Sequence, residues 1–368
     1  MEFLKHLKQD EKELLFYVQS LFDKPVYLVG GAIRSILLGE GPKDFDFCSE
    51  MSTDEIKEQI KGKHKAYCIG EKFGTIGFKC MDEMIEITQF REEEYATHSR
   101  KPEVTFGTDL LTDLSRRDFT INAIALNCQT MDLIDPFNGE QDIKDGIIRA
   151  VGIPKMRFND DPLRILRAIR FSTVLGFEIE ELTFKKLKTM NYSLMRISKE
   201  RWVDEFNKIL LSNNVFDGLK LLWETRVFNF TIPELAIQYG YNQNSRYHDL
   251  ELWEHTANVV KSAQEANEPI EMLWAALFHD IGKPATRVDK DVPEDQWESY
   301  GKKHKSNYVL HEKVGAEIAL RLCEYLKFSN ALKKEIYELV RGHLKDDSPL
   351  RVYDNLHKSK LAEELDGK

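Results

Sequence analysis

The amino-acid sequence predicts an α/β head followed by two all-α regions, and three observations predict it. At 368 residues the chain exceeds what one hydrophobic core ordinarily supports, so two or three packed units are expected. Up to about residue 150, β-type runs alternate with helical ones. Beyond that point apolar residues recur at helical spacing. The parts expected are 1–150, 151–235 and 236–368.

In chain order, "PVYLVGG" reads as a strand running into a turn at Gly30 and Gly31, with a helix after it. "KDFDF" is the next strand. "FGTIGFKC" and "MIEITQF" form a hairpin joined by Met81, Asp82 and Glu83, and "IALNC" and "MDLIDPF" complete the α/β part. From Asp160 to about Asn229, segments such as "PLRILRAIRFSTVLG" and "RWVDEFNKILL" are helical, with no strand expected. From about Tyr241 onward the pattern is helical again, and seven of the ten histidines fall between His248 and His357, which suggests a metal site there.

No stretch is apolar and long enough to span a bilayer, so no membrane association is expected. The first twenty residues mix Lys with Glu and Asp and hold no apolar core of the secretory kind, so the expected location is the cytoplasm. Cys48, Cys68, Cys80, Cys128 and Cys323 are scattered without C-x-x-C spacing and read as reduced core residues. A net charge of −10 argues against a broad basic surface, so DNA is not an expected partner and any RNA site must be local. Residues 149–201 offer one, with twelve Lys or Arg against six Asp or Glu; solvated helix faces are the plainer explanation.

The residue chemistry of the head points to phosphate and metal. Backbone amides at a helix start after Gly30-Gly31 can cradle phosphate oxygens. Asp44 and Asp46, two apart, face the same way on a strand and suit Mg²⁺, which takes one or two carboxylates plus substrate phosphates. An isolated Asp-x-Asp is more often a solvated strand edge, and the glycine turn upstream is what changes the odds. Glu86 either turns toward the same site from a neighbouring strand or faces solvent beside a lysine. In "DLSRRDFTINAIAL", Arg116 and Arg117 offer forked donors that match a triphosphate, ahead of a helix on which Asp118 and Asn122 share a face. Asp118 serves equally well as a helix cap.

Together these segments resemble the class II tRNA nucleotidyltransferases and bacterial poly(A) polymerases of the polymerase-β-like superfamily. The resemblance runs through "LVGGAIR", "KDFDF", "FGTIGF", "EITQFREEEY", "RRDFTINAIAL", "LIDPFNGEQDIKDGIIRAVG", "DDPLRILRAIRFS" and "ISKERWVDEF". It implies an α/β nucleotidyltransferase head, an all-α neck and an all-α HD-type domain. It further implies that Asp44 and Asp46 bind catalytic metals and that Arg34, Arg116, Arg167 and Arg170 serve the nucleotide. Asp118 and Asn122 would contact sugar and phosphates, and Asp161 and Arg164 would select the base. Spaced one turn apart on a helix, a carboxylate acceptor and a guanidinium donor complement the pairing edges of cytosine and adenine. Uracil and guanine would leave groups unpaired, at about 1–3 kcal/mol each.

The implied partners are tRNA, CTP and ATP. Two departures from the family pattern are Ser35, where an acidic residue is usual, and Asp160, where Glu is. The segment "REEEYATHSRKPEV" looks like the mobile loop of CCA-adding enzymes, which favours CCA addition over poly(A) synthesis; an enzyme adding only CC or only A shares these motifs and stays an alternative.

In the last part, His255, His279-Asp280, His311 and His343 resemble an HD phosphohydrolase domain. Imidazole and carboxylate ligands suit a divalent transition metal. The closing aspartate of that pattern is not evident, with Asp346 and Asp347 nearest to His343. The implied action is on phosphoesters at RNA ends, and a purely structural domain is the alternative.

Overall fold

The structure is a computed structural model that describes residues 5–42, 44–94, 103–107, 109–245, 250–296 and 304–357. It divides into two compact units, one comprising Met1–Arg164 with Phe177–Lys186 and the other Ile165–Gly176 with Leu187–Lys368.

The first unit is built on a seven-stranded sheet. Its strands are β1 (Tyr27–Val29), β2 (Phe45–Ser49), β3 (Ala66–Tyr67), β4 (Thr75–Cys80) and β5 (Glu83–Gln89). A separate hairpin of β6 (Arg91–Glu94) and β7 (Glu103–Phe106) follows, before β8 (Ala125–Asn127) and β9 (Leu133–Ile134) return to the sheet. The order is β3-β4-β5-β2-β1-β8-β9, with β2 and β5 parallel and the other neighbours antiparallel. The hairpin expected from "FGTIGFKC" and "MIEITQF" forms with a tighter connection than expected. Met81 and Asp82 both take positive φ (47° and 66°), as a two-residue turn requires, and Glu83 already pairs with Cys80.

Alternation sets the two faces of β2. Phe45 and Phe47 are buried, whereas Asp44, just before the strand, and Asp46 are exposed. Leu14, Leu15 and Val18 of the helix Gln9–Ser20 and Ile56 and Ile60 of the helix Thr53–Ile60 are buried too, and the helix Thr53–Ile60 lies against β4 and β5. Ser52 caps that helix reciprocally with Glu55. A short pair of β10 (Ile147–Ile148) with β11 (Glu178–Ile179) corrects the expectation of no strand between Asp160 and Asn229. Two residues carry too little periodicity to register in the sequence.

The second unit is helical around large aromatics. Trp202 and Trp274 are fully buried, each with its indole N–H satisfied, by the Leu194 carbonyl (3.1 Å) and by Asn207 Oδ1 (2.7 Å). The helix Ile270–Phe278 is apolar and buried on every side from Met272 onward and delivers His279 and Asp280 into this core. One hairpin interrupts the helical pattern expected here, β12 (Val288–Asp291) with β13 (His304–Asn307). Every residue of β12 is exposed, so no apolar period announces it. Polar pairs hold it instead, Arg287 and Ser306 on Asp289 and His304 on Asp291. No helix among the described residues is long and apolar enough to cross a membrane. Four cysteines are buried as expected; Cys68 is exposed, placed by the irregular stretch after β3.

Candidate functional site

In the first unit the sheet register and one glycine turn assemble the site. Asp46 pairs directly with Glu86 across the parallel β2–β5 ladder, and Glu86 pairs with Gly77 on β4. Of the two alternatives for Glu86, the structure takes the one that puts it beside Asp46 on the exposed face. Solvent reaches Asp46, yet desolvation by the surrounding protein raises its pKa, Glu86 and Asp44 push the same way, and Arg117 opposes them. An oxygen-only donor set whose charges repel one another fits a hard dication.

Beside the carboxylates, Gly30 opens the helix Gly31–Leu37 with φ 73°, a conformation that disfavours any side chain. A Cβ at Gly30 would lie 3.1 Å from Arg117 Nη1, and one at Gly31 3.5 Å from Arg34 Nη2, so both glycines leave room where two guanidinium groups gather. Arg34 Nη1 donates to Asn122 Oδ1, Arg117 Nη1 donates to the Asn122 carbonyl (3.4 Å), and Asn122 Nδ2 donates to Asp118 Oδ1 (3.0 Å). The expected helix after Arg117 is a single 3₁₀ turn, Thr120–Asn122; Asp118 and Asn122 meet even so. Asp118 also accepts the Phe119 amide (2.8 Å) but does not cap this turn, whose first residue is preceded by Phe119; of the two alternatives it takes the pairing with Asn122.

The sequence reading missed Asp113. It lies on the helix Leu110–Ser115 at 1% exposure and accepts from Arg116 (Nη2 2.6 Å, Nε 3.1 Å) and from Arg117 (Nη2 3.1 Å). Burial would raise its pKa, but the two guanidinium groups overcome that and hold it below the ordinary value. Its i, i+3 and i, i+4 spacing to the arginines was the available signal.

The pair expected to select the base is arranged differently from expectation. Asp161 does not share a helical turn with Arg164. It ends the helix Pro154–Asp160 in extended conformation (φ −137°, ψ 103°), because Pro162 disfavours helical backbone before it. Asp161 Oδ1 accepts the Leu163 amide (3.0 Å) and its carbonyl the Arg164 amide (3.0 Å), so it starts the helix Arg164–Leu175. Arg164 Nη2 donates to the Arg116 carbonyl (2.6 Å), tying this turn to the paired arginines. Arg167 and Arg170 belong to the second unit, where Arg170 is committed to Glu205 (2.9 Å). Of the segment read as a mobile loop, residues 95–102 lie outside the described residues.

In the second unit all five expected residues, His255, His279, Asp280, His311 and His343, come together, buried. The closing carboxylate is Asp354, on the helix Pro349–Asn355, with Oδ1 3.0 Å from His255 Nε2. Asp346, one of the two nearest candidates, is instead 96% exposed and paired with Arg351. Asp354 lies one helix further on, where the buried face of "PLRVYDN" carries it inward beyond any fixed spacing from His343. His279, His311 and His343 each donate Nδ1–H to the carbonyl three residues back, all at 2.7 Å, leaving Nε2 to face the cluster. Burial, helped by neighbouring His279, pushes the His343 pKa down to about 4. Lys283, also buried, lies 2.5 Å from Asp280 Oδ2 and holds Gln243. Buried imidazole nitrogens and carboxylates gathered in two groups that share Asp280 fit transition-metal dications.

These features give an α/β unit with carboxylates and arginines gathered at a glycine turn and a helical unit with a buried histidine–aspartate cluster, and sequence comparison matches each to a known domain. Three family models match: the poly A polymerase head domain over residues 26–149, the probable RNA and SrmB-binding site of polymerase A over 176–238, and the HD domain over 252–366. The matches follow one another along the chain, a head model first and an HD model last. The chain is similar in particular to CCA-adding enzymes. It shares 36% identity with that of Streptococcus pneumoniae over 253 residues, 68% of this chain and 59% of the relative. With that of Staphylococcus epidermidis it shares 38% over 205 residues, 55% of this chain and 50% of the relative. The chain thus spans about half to three-fifths of the length of these curated relatives. The Thermotoga maritima CCA-adding enzyme complexed with tRNA is similar in structure at 25% identity and a TM-score of 0.63, over 99% of this chain and 83% of that one. The Bacillus stearothermophilus enzyme in complex with CTP shares the fold, with a TM-score of 0.60 at 24% identity over 98% of this chain and 83% of that one.

Proposed function

We propose that this protein adds CCA to the 3′ end of tRNA from CTP and ATP without a nucleic-acid template. The observation that carries the reading is the placement of Asp46 and Glu86 on one ladder beside the cluster of Gly30, Gly31, Arg34, Arg117 and Asn122. The similarity to CCA-adding enzymes supports the same reading. In this reading residues 1–150 are the catalytic head, 151–235 the neck and 236–368 the HD domain, and the protein works in the cytoplasm.

Asp44 and Asp46, with Glu86 beside them, would hold Mg²⁺, which when bound activates the attacking 3′-hydroxyl and neutralises charge on the departing pyrophosphate. Arg34 and Arg117 supply forked donors for triphosphate oxygens at the helix start after Gly30. Arg116 adds to that field and Asp118 and Asn122 meet the sugar side; Arg167 and Arg170 are assigned to the nucleotide by the same reading. Asp161 and Arg164 accept from and donate to the pairing edge of the incoming base, and the carbonyl of Arg116 fixes the Arg164 guanidinium for that purpose.

Nucleotide selection tests the reading. Given a tRNA that lacks its CCA end and each nucleoside triphosphate singly, the wild type should incorporate C and reject U and G. Asp161→Ala should incorporate C with at least tenfold less preference over U. Equal use of all four by the wild type would sink the assignment, and a long A tail would make the protein a poly(A) polymerase. The six-residue cluster of the HD domain favours a second activity, hydrolysis of phosphoesters at RNA ends, which should survive Asp46→Ala and vanish in Asp280→Ala.

A further inference from the structure

We propose that a cavity in the second unit, walled by Phe216, Trp223 and Trp253 and rimmed by Glu251 and Glu254, binds a small organic cation of the alkylated-ammonium class. The site shares no residue with the carboxylates and arginines of the head or with the buried histidines. Its volume of about 310 Å³ suits one compact ligand.

Two helices that pack against one another build it. On the helix Val215–Glu224, Phe216, Lys220 and Trp223 recur at i, i+4 and i+7, so they share one face. The helix Leu252–Glu265 contributes Trp253 and Glu254 from its first turn, and Glu251 immediately precedes it. Trp223 remains 40% exposed, which leaves its ring open to a ligand.

Ring geometry selects the shape of that ligand. Trp223 meets Tyr239 at 54° and Tyr239 meets Trp253 at 85°, so the two indoles are not parallel. A flat base needs parallel faces to be sandwiched between them. A rounded cation does not, because each inclined ring face attracts positive charge by itself. Lys261 already exploits this attraction, with Nζ 5.9 Å from the Phe216 ring centre.

Charge selects its sign. Glu251 and Glu254 are exposed, and their carboxylates make no ion pair or hydrogen bond among the described residues. The same holds for the Lys220 ammonium. Two carboxylates against one ammonium leave the cavity negative, and the flexible stem of Lys220 can turn its charge to water. Acids at a helix start also favour the helix dipole, but that accounts for the glutamates alone and not for the aromatic rings gathered beside them. Aromatic walls with a negative rim are the surroundings in which alkylated ammonium groups are recognised.

Calorimetric titration of the full chain at fixed ionic strength tests the proposal, with choline, tetramethylammonium and neohexanol, the uncharged carbon counterpart of choline. Both cations should bind, and neohexanol should bind at least about tenfold more weakly. Trp223→Leu keeps apolar bulk and removes the indole face, so it should weaken choline by about tenfold, as should Glu251→Gln combined with Glu254→Gln. Lys220→Gln should tighten it. Circular dichroism checks that each variant is folded, and Trp223→Phe, which keeps a ring and part of the affinity, stands in for Trp223→Leu if that variant unfolds. Equal binding of neohexanol, cation binding that Trp223→Leu and the glutamate variants leave intact, or no binding of either cation at millimolar concentration would each overturn the proposal. Binding of a nucleoside monophosphate in place of the cations would overturn it in favour of a base site.

Discussion

Replacing Asp113 should loosen the head alone, and by a calculable amount. Its carboxylate is 1% exposed and accepts three hydrogen bonds from Arg116 and Arg117, whose side chains are only 19% and 20% exposed. The weak contribution typical of surface pairs therefore does not apply. Asp113→Ala leaves two guanidinium groups side by side without their counter-ion, a change that costs about 3–5 kcal/mol, a large part of a stability of about 5–15 kcal/mol. Asp113→Asn keeps the volume and loses the charge, and should cost about 1–3 kcal/mol. All five tryptophans lie between Trp202 and Trp297, in the second unit, so their fluorescence does not report on the head. Hydrogen exchange by mass spectrometry does. Peptides covering Leu110 to Asn127 should lose roughly 100-fold to several thousandfold of their protection in Asp113→Ala, at about 1.4 kcal/mol per tenfold, while tryptophan fluorescence stays unchanged. Unchanged exchange in Asp113→Ala would refute the view that this carboxylate holds the arginines in place.

Acid should find the same weak point. The arginines hold Asp113 below its ordinary pKa, so its stabilisation is complete above the unfolded value of about 3.9 and is lost as pH falls through the folded value; head protection should drop below about pH 4, less steeply in Asp113→Asn. In the HD domain, Gly282→Ala would drive a Cβ into the His311 carbonyl and to 2.6 Å from the Gly315 nitrogen. The helix His311–Tyr325 must then move, so the melting temperature and the metal held through His311 should both fall, at a cost of about 1–3 kcal/mol. Asp346→Ala, at an exposed carboxylate, should change stability by no more than about 0.5 kcal/mol and leave metal content intact, whereas Asp354→Ala should lose metal; the reverse result would overturn the identification of the closing carboxylate.

What the sequence disclosed follows the range over which its signals act. Period-two alternation was enough to set Asp46 outward and Phe47 inward, and Gly30-Gly31 marked the helix start where phosphate chemistry gathers. Local rules also failed locally. Spacing suggested that Asp161 and Arg164 share a helical turn, but Pro162 breaks the helix and makes Asp161 a cap. The partner of Asp46 could not be decided from alternation, because only the β2–β5 register brings Glu86 alongside. Asp354 was invisible for a similar reason. Its role comes from packing of the helix Pro349–Asn355 against the histidine core, and no fixed spacing from His343 encodes that. Among the charge pairs, Asp113 with Arg116 and Arg117 was legible as a helical pattern, but its burial was not.

The most direct measurement is single-nucleotide resolution of products from purified protein, Mg²⁺ and a tRNA ending before its CCA. With CTP and ATP together, the wild type should add three nucleotides and stop. Asp46→Ala should add none, and His343→Ala should still add all three. Two C, a lone A or an open-ended A tail would contradict CCA addition, and no extension by the wild type would contradict the nucleotidyltransferase reading altogether.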